Sequence, residues 1–320
     1  MLQPLSSRRL LSRLVLFCLV ASSSGEARAI RLSAGDGMPA QFEAARAYEH
    51  LKKMVEIGPR PPGSEAIKKA QDYIIRELNG YGLKVIEDNF QAQTTRGPVA
   101  MKNIIGELPG RRSDIVMISG HYDTKLQAGF VGANDGGSST AAVLEMARAL
   151  SKNRLEYTIW FVFFDGEEAF VDWSANNGMD NTYGSRHMVS RLADDGTLQR
   201  VKAMVLVDMI GDKDLDLLRD AESTSWMVQA IWKTAGRLGH SKHFLETEGA
   251  YSDDHIPFKE AGVPVVDLID FNYGPSNRYW HTNEDSLDKV SGESMKVVSD
   301  VVIAALPEIF TQLNTRNGKP

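Results

Sequence analysis

The chain has 320 residues, of which 42% are hydrophobic and 24% charged, and its formal net charge is −6. This is the balance of a soluble globular protein with a large core, long enough for one large α/β domain or two small ones. The acidic charge argues against nucleic-acid or anionic-membrane binding, both of which need a basic surface.

At the N-terminus, Arg8, Arg9 and Arg13 precede an apolar run over residues 14–21, then small polar residues and Ala27-Arg28-Ala29. This pattern predicts a secretory signal over residues 1–29. The run is too short for a transmembrane helix, and Ser7-Arg8-Arg9-Leu10-Leu11 resembles a twin-arginine signal only loosely. Cleavage would remove four arginines and one glutamate, leaving a charge of −9, and would also remove Cys18, the single cysteine. An exported domain then has no disulfide and no thiol ligand or nucleophile, so a metal has to be held by His, Asp and Glu. The expectation is an exported protein, periplasmic or secreted, a monomer free of the membrane once the signal is gone.

Residues 30–40 read as a disordered lead-in. Over residues 41–57, Phe42, Ala45, Tyr48, Leu51 and Val55 recur at helical spacing, and Gly58-Pro59-Arg60-Pro61-Pro62-Gly63 closes that helix. A second helix starts after Ser64, a cap, with Lys68 and Lys69 outward, and runs to about residue 78. Residues 83–86, 101–108 and 115–119 read as strands, the last two joined by Pro109-Gly110-Arg111-Arg112. The third strand ends in Gly120-His121-Tyr122-Asp123-Thr124-Lys125. A glycine-rich loop follows, Gly132-Ala133-Asn134-Asp135-Gly136-Gly137-Ser138-Ser139, opening a helix over residues 140–150. It is no phosphate loop, because no Lys closes it.

Residues 158–173 come next. The run 159–164 is apolar, β-branched and aromatic, reads as a buried central strand, and stops at Asp165-Gly166. Glu167 and Glu168 follow at once, where an open α/β sheet places its ligand crevice. One of them binds a metal while its neighbour moves protons, or both are a solvated helix start. Beyond lie a polar loop (174–182), a helix (183–192), a buried strand (204–209) carrying Asp208, a helix (223–238), a loop Tyr251-Ser252-Asp253-Asp254-His255-Ile256-Pro257-Phe258 entering a short helix, a strand (264–269), Tyr279-Trp280-His281-Thr282, and a last helix (292–313). Alternating strands and helices predict a doubly wound, mainly parallel sheet in a single domain over residues 30–320. His187 and His255 are expected to cap helices or brace loops by hydrogen bonds, His50, His240 and His243 to lie on the surface, and Trp226 and Trp232 to pack on the sheet.

His121, Asp135, Glu167, Glu168 and Asp208 thus stand at successive strand ends, with His281 arriving from the last loop. Imidazole and carboxylate together suit zinc, and three protein ligands leave a position open for substrate.

This set resembles the zinc-dependent exopeptidase superfamily, which includes the two-zinc aminopeptidases and the glutaminyl-peptide cyclotransferases, over about residues 42–313. His121-Tyr122-Asp123-Thr124-Lys125, Phe164-Asp165-Gly166-Glu167-Glu168-Ala169-Phe170 with Trp173, Tyr183-Gly184-Ser185-Arg186-His187, Asp253-Asp254 before His255-Ile256-Pro257-Phe258, and Trp280-His281-Thr282 are similar to the cyclase branch. The resemblance implies a three-layer α/β sandwich with a mixed, mainly parallel sheet. It also implies one zinc held by Asp135, Glu168 and His281, with His121 close by. Glu167 would be the proton shuttle, Asp208 and Asp253 the supporting acids, and Trp173 and Trp280 the pocket walls, while Asp123 would orient His121. The substrate implied is the N-terminal glutamine of a peptide or protein. Animal cyclases carry a His where this chain has Asp267; the loop at 176–181 is longer here and their disulfide is missing. In the aminopeptidase alternative His121 and Asp208 hold a second zinc, Asp135 bridges and Glu167 activates a water. A third reading is an inactive binding ectodomain on the same fold.

Overall fold

The computed structural model describes residues 41–317, so the signal segment and lead-in expected before them lie outside the described residues. The first helix, α1 (Ala44–Ile57), turns Ala47, His50, Leu51 and Met54 inward at the three-to-four spacing of a helical face, and Gly58 ends it. The second, α2 (Glu65–Gly80), begins where Ser64 Oγ accepts the backbone N–H of Ile67, a cap that contributes about 1 kcal/mol. There follow β1 (Lys84–Thr94), β2 (Gly97–Leu108), β3 (Arg112–His121), α3 (Gly137–Leu150), β4 (Tyr157–Phe164), the single turn α4 (Ala175–Gly178) and α5 (Tyr183–Asp194). The second half runs β5 (Val201–Asp208), β6 (Leu217–Asp220), α6 (Ser225–Leu238), β7 (Phe244–Gly249), α7 (His255–Glu260), β8 (Val265–Ile269) and α8 (Gly292–Asn317).

Six strands form the main sheet in the order β1-β2-β4-β3-β5-β8. The β1–β2 and β2–β4 pairings are antiparallel and the other three parallel, which is the mixed, mainly parallel sheet expected. One face, carrying Val116, Ile118, Phe161, Phe163, Val205 and Val207, packs with residues of α1, α2, α3, α6 and α8. The opposite face, carrying Ile115, Met117, Val162, Phe164, Met204 and Leu206, packs with Met188 and Leu192 of α5 and Phe258 of α7. Every residue of β4 is buried because both faces are covered, hence its unbroken apolar run. Truncating Phe161 or Phe163 to Ala at such a site costs about 3–5 kcal/mol.

The structure corrects several local expectations. Strand β1 continues to Thr94, eight residues past the short strand read from sequence; as an edge strand it is half exposed, so polar residues break its apolar pattern. The small parallel sheet of β6 and β7 had no sequence signal long enough to be seen. His50 is not a surface residue: it is buried, its ring nitrogens 2.5 Å and 3.0 Å from the hydroxyls of Tyr73 and Tyr81. His240 and His243 are half-buried, and His243 Nδ1 sits 2.9 Å from the Leu215 carbonyl. Trp232 packs edge-on to Phe244 of β7, beside the small sheet, and donates to the Leu245 carbonyl. Among the described residues no helix is long and apolar enough to cross a membrane.

Candidate active site

Parallel β3, β4 and β5 end level with one another: His121 pairs with Phe164, and Ser119 with Leu206 two residues short of Asp208. Their following loops therefore leave the sheet on one side. Two buried residues that the sequence did not single out hold these loops. The guanidinium of Arg60 donates to the carbonyls of Tyr122, Val131 and Gly132. The Asp285 carboxylate accepts the backbone N–H of Asn134 at 2.7 Å and of Asp135 at 3.1 Å, and the hydroxyl of Tyr273 at 2.8 Å. Between them, Gly136 turns with a φ of 75°, and a Cβ there would fall 2.5 Å from the Asp123 carbonyl oxygen. Asp285 is one of several acids after His281, and nothing in its spacing sets it apart.

At the end of β4 the solvated-helix reading of the two glutamates fails, since no helix starts there and both are buried. The two carboxylate oxygens of Asp123 accept the backbone N–H groups of Glu167 and Glu168, each at 3.2 Å. Asp123 also lies 3.4 Å from His121 Nδ1, the orienting contact expected of it.

His281 Nε2 is 3.3 Å from Asp135 Oδ2 and 3.3 Å from Glu168 Oε2. One donor atom each of Asp135, Glu168 and His281 lies within 4.8 Å of the others. The oxygens turned to the imidazole, Asp135 Oδ2 and Glu168 Oε2, are buried without a hydrogen-bond partner. Two orphaned carboxylate oxygens converging with an imidazole fit a divalent metal ion, which would satisfy all three. His121 Nε2 is 3.2 Å from Asp208 Oδ1 and 3.3 Å from Asp135 Oδ1, and these three residues form a second convergent set that shares Asp135. Here, however, His121 and Asp208 already hydrogen-bond to each other.

Burial, reinforced by Asp253 and Glu168 against the opposing pull of His121, raises the Glu167 carboxyl well above the usual range. Burial and the neighbouring Asp208 carboxyl push Asp253 up to about 7. For Asp135 burial also pushes upward, but the imidazoles of His121 and His281 outweigh it and hold that carboxyl below its usual value.

These groups open onto a cavity of about 340 Å³ lined by Glu167, Asp208, Asp253, Trp173, Trp280 and His281 among others. The Trp280 ring stacks on His281 at 3.9 Å, so the last aromatic of the motif also positions the imidazole. Phe271 and Tyr251 continue this aromatic wall, at 4.8 Å from Trp280 to Phe271 and 5.6 Å from Phe271 to Tyr251. Neither was expected, because isolated aromatics in loops carry no periodic signal. Lys125 also lines the cavity, its Nζ 3.8 Å from Glu168 Oε2. His187 lies apart, stacked on Phe90 and bonded to Asp88, a bracing role as expected. The ring nitrogens of His255 are without a hydrogen-bond partner, contrary to expectation.

Residues 103–306 match the model of peptidase family M28. The chain is 30% identical over 291 residues to the glutaminyl-peptide cyclotransferase of Boiga irregularis, covering 78% of this chain and 77% of that one. Its structure is similar to the crystal structure of a glutaminyl cyclase from an Acidobacteriales bacterium, with a TM-score of 0.80 and 38% identity over 87% of this chain and 97% of that one. It is also similar to that of a leucine aminopeptidase precursor from Bacteroides thetaiotaomicron, with a TM-score of 0.75 and 25% identity over 84% and 98% of the two chains.

Proposed function

The chain belongs to peptidase family M28, and from that premise we propose that it is a glutaminyl-peptide cyclotransferase, converting the N-terminal glutamine of peptides or proteins to pyroglutamate with release of ammonia. The observation that carries this reading is the position of Glu167, in a cavity with two tryptophans on its walls, beside the Asp135–Glu168–His281 donor set but outside it. The likeness to cyclotransferases in sequence and in structure supports it.

In cyclisation the α-amine attacks the carbonyl carbon of its own side-chain amide, a new C–N bond forms and the old one breaks. Both partners belong to one residue, so the protein's task is to hold a folded conformer and move one proton. Trp173 and Trp280 flank the glutamine side chain and keep it folded. They also restrict water, which would otherwise hydrolyse the amide. A single zinc ion, which Asp135, Glu168 and His281 would hold, supplies Lewis-acid polarisation of the amide carbonyl when bound. Glu167 takes the proton from the attacking amine and returns it to the departing nitrogen, general acid–base work worth about a hundred- to ten-thousand-fold. Asp208 and Asp253 accept hydrogen bonds from the amine and set its approach. His121, held between Asp123 and Asp208, keeps Asp208 in place.

Among the residues of the two convergent pocket sets, the orphaned oxygens are those of Asp135 and Glu168, whereas His121 and Asp208 satisfy one another, which supports one ion rather than two in the pocket. The convergence of His121, Asp135 and Asp208 favours the second reading, a two-zinc aminopeptidase. Offering the purified protein a glutaminyl amide and a leucyl amide side by side, with metal counting, separates them. Ammonia release from the first without cleavage of the second supports the cyclase; leucyl cleavage with two ions in the pocket supports the peptidase. We assign the arginine-led apolar segment over residues 1–29 as an export signal, residues 30–320 as one catalytic domain, and the mature enzyme as an exported monomer acting on peptide and protein N-termini.

A further inference from the structure

Away from the pocket donor set lies a second set of ligand-type side chains that the proposed reaction does not use. Asp220 ends β6, His255 opens α7 and Asp267 sits at the centre of β8. All three are buried, at 3%, 0% and 1% exposure. One donor atom from each lies within 4.8 Å of the other two.

The contacts among them are close but are not hydrogen bonds. His255 Nε2 is 3.4 Å from Asp220 Oδ2, and His255 Nδ1 is 3.6 Å from Asp267 Oδ2. Both ring nitrogens of His255 and both carboxylate oxygens of Asp267 lack a hydrogen-bond partner. Carboxylates in line with the two ring nitrogens would stand on opposite sides of the imidazole, well over 4.8 Å apart; these two gather on one side. Such an arrangement is poor for an imidazolium bridging two acids and good for three donors around a common centre.

We infer that Asp220, His255 and Asp267 hold a structural divalent metal ion, zinc by its mixed imidazole and carboxylate donors, distinct from the ion at Asp135–Glu168–His281. Unpaired polar groups at this depth cost several kcal/mol, and a protein retains them where something offsets the cost. Protonation alone does not offset it: an ionised Asp267 needs a donor and a protonated one an acceptor, and it has neither. A divalent cation with two carboxylates and a neutral imidazole makes a neutral set.

The surroundings hold the donors for that purpose. Asp220 Oδ1 accepts the backbone N–H groups of Glu222 and Tyr251. Ser223 Oγ donates to Asp220 Oδ2 at 2.7 Å and accepts the backbone N–H of Asp267 at 2.9 Å. The set is closed to solvent. Its ion joins β6, β8 and the start of α7, and so clamps the segment that carries Asp253 to the cavity. This inference does not depend on the cyclase reading.

Metal analysis of the full chain is expected to give two equivalents. Asp267→Asn should lose one of them and keep the ion at Asp135–Glu168–His281, while Glu168→Gln should lose the latter and keep the former. A wild-type crystal gives a readout independent of how well the variants fold. An anomalous peak at the zinc edge, about 2.0–2.2 Å from a His255 nitrogen and from oxygens of Asp220 and Asp267, supports the inference. A single peak at Asp135–Glu168–His281 overturns it and leaves the cyclase reading standing. Two peaks sharing Asp135, with none at His255, overturn it and the single-zinc cyclase together.

Discussion

Glu167 and Glu168 are neighbours in the chain but face different partners: Glu168 Oε2 lies 3.3 Å from His281 Nε2, and Glu167 Oε2 lies 3.9 Å from His121 Nδ1. Bonding of both backbone N–H groups to Asp123 splits the pair, directing one carboxylate to the donor set with Asp135 and the other to the cavity. Glu167→Gln should therefore keep the pocket metal and lose cyclisation by about a hundred- to ten-thousand-fold, whereas Glu168→Gln should lose metal and activity together. Equal metal content in the two variants would count against this division.

Asp123 does not line the cavity, yet it bonds the backbone of both glutamates and lies against His121. Asp123→Ala should weaken metal affinity about 10- to 100-fold, the usual effect of removing a ligand's hydrogen-bond partner. A chelator competition titration measures this directly, and unchanged affinity would show that the turn holds itself.

The two tryptophans should separate kinetically. Trp173 lines the cavity and, unlike Trp280, does not stack on His281, so Trp173→Leu should raise KM for a glutaminyl peptide with metal content unchanged. Trp280 also stacks on His281, so Trp280→Leu should raise KM and loosen the metal. Identical effects in the two variants would place both in the wall alone.

Asp285 accepts two backbone N–H groups from the Asn134–Asp135 segment. Asp285→Ala leaves buried donors unpaired, at about 1–3 kcal/mol each, and should also lower metal affinity by releasing Asp135. Denaturant unfolding followed alongside metal titration checks both effects.

His50 should make the domain acid-sensitive. Burial, aided by Arg148 and Arg46, lowers its pKa to about 4 from the ordinary 6.5. The unfolded chain therefore takes up a proton below pH 6.5 that the folded chain refuses until about pH 4, so stability falls as pH drops through that window. By pH 5 the loss from this group should reach about 2 kcal/mol. His50→Gln should be less stable at pH 7 but show a shallower decline between pH 6.5 and 4. An unchanged slope would assign the acid sensitivity to the buried carboxyls instead.

Much of the fold is legible in the chain. β4 shows as an apolar run because both its faces are covered, and α1 and α2 show as periodic stripes bounded by glycine, proline and Ser64. Edge strand β1 beyond residue 86 and the β6–β7 pair do not show, since their half-exposed residues follow no apolar pattern. The burial of His50 does not show for a related reason: a histidine among charged neighbours reads as exposed, and only the approach of Tyr73 and Tyr81 encloses it.

By itself the sequence determined which side chains stand at the ends of β3, β4 and β5 and in the last loop, because strand ends and their following turns are local features. That was enough for a layered α/β fold and for the proposal that Asp135, Glu168 and His281 hold a metal. Which oxygens are left without partners, how Asp123 turns two adjacent glutamates apart, and that Asp220, His255 and Asp267 meet in the interior were decided only by tertiary structure. Each depends on distances between residues tens of positions apart, which packing of the sheet and its helices sets and no local pattern records.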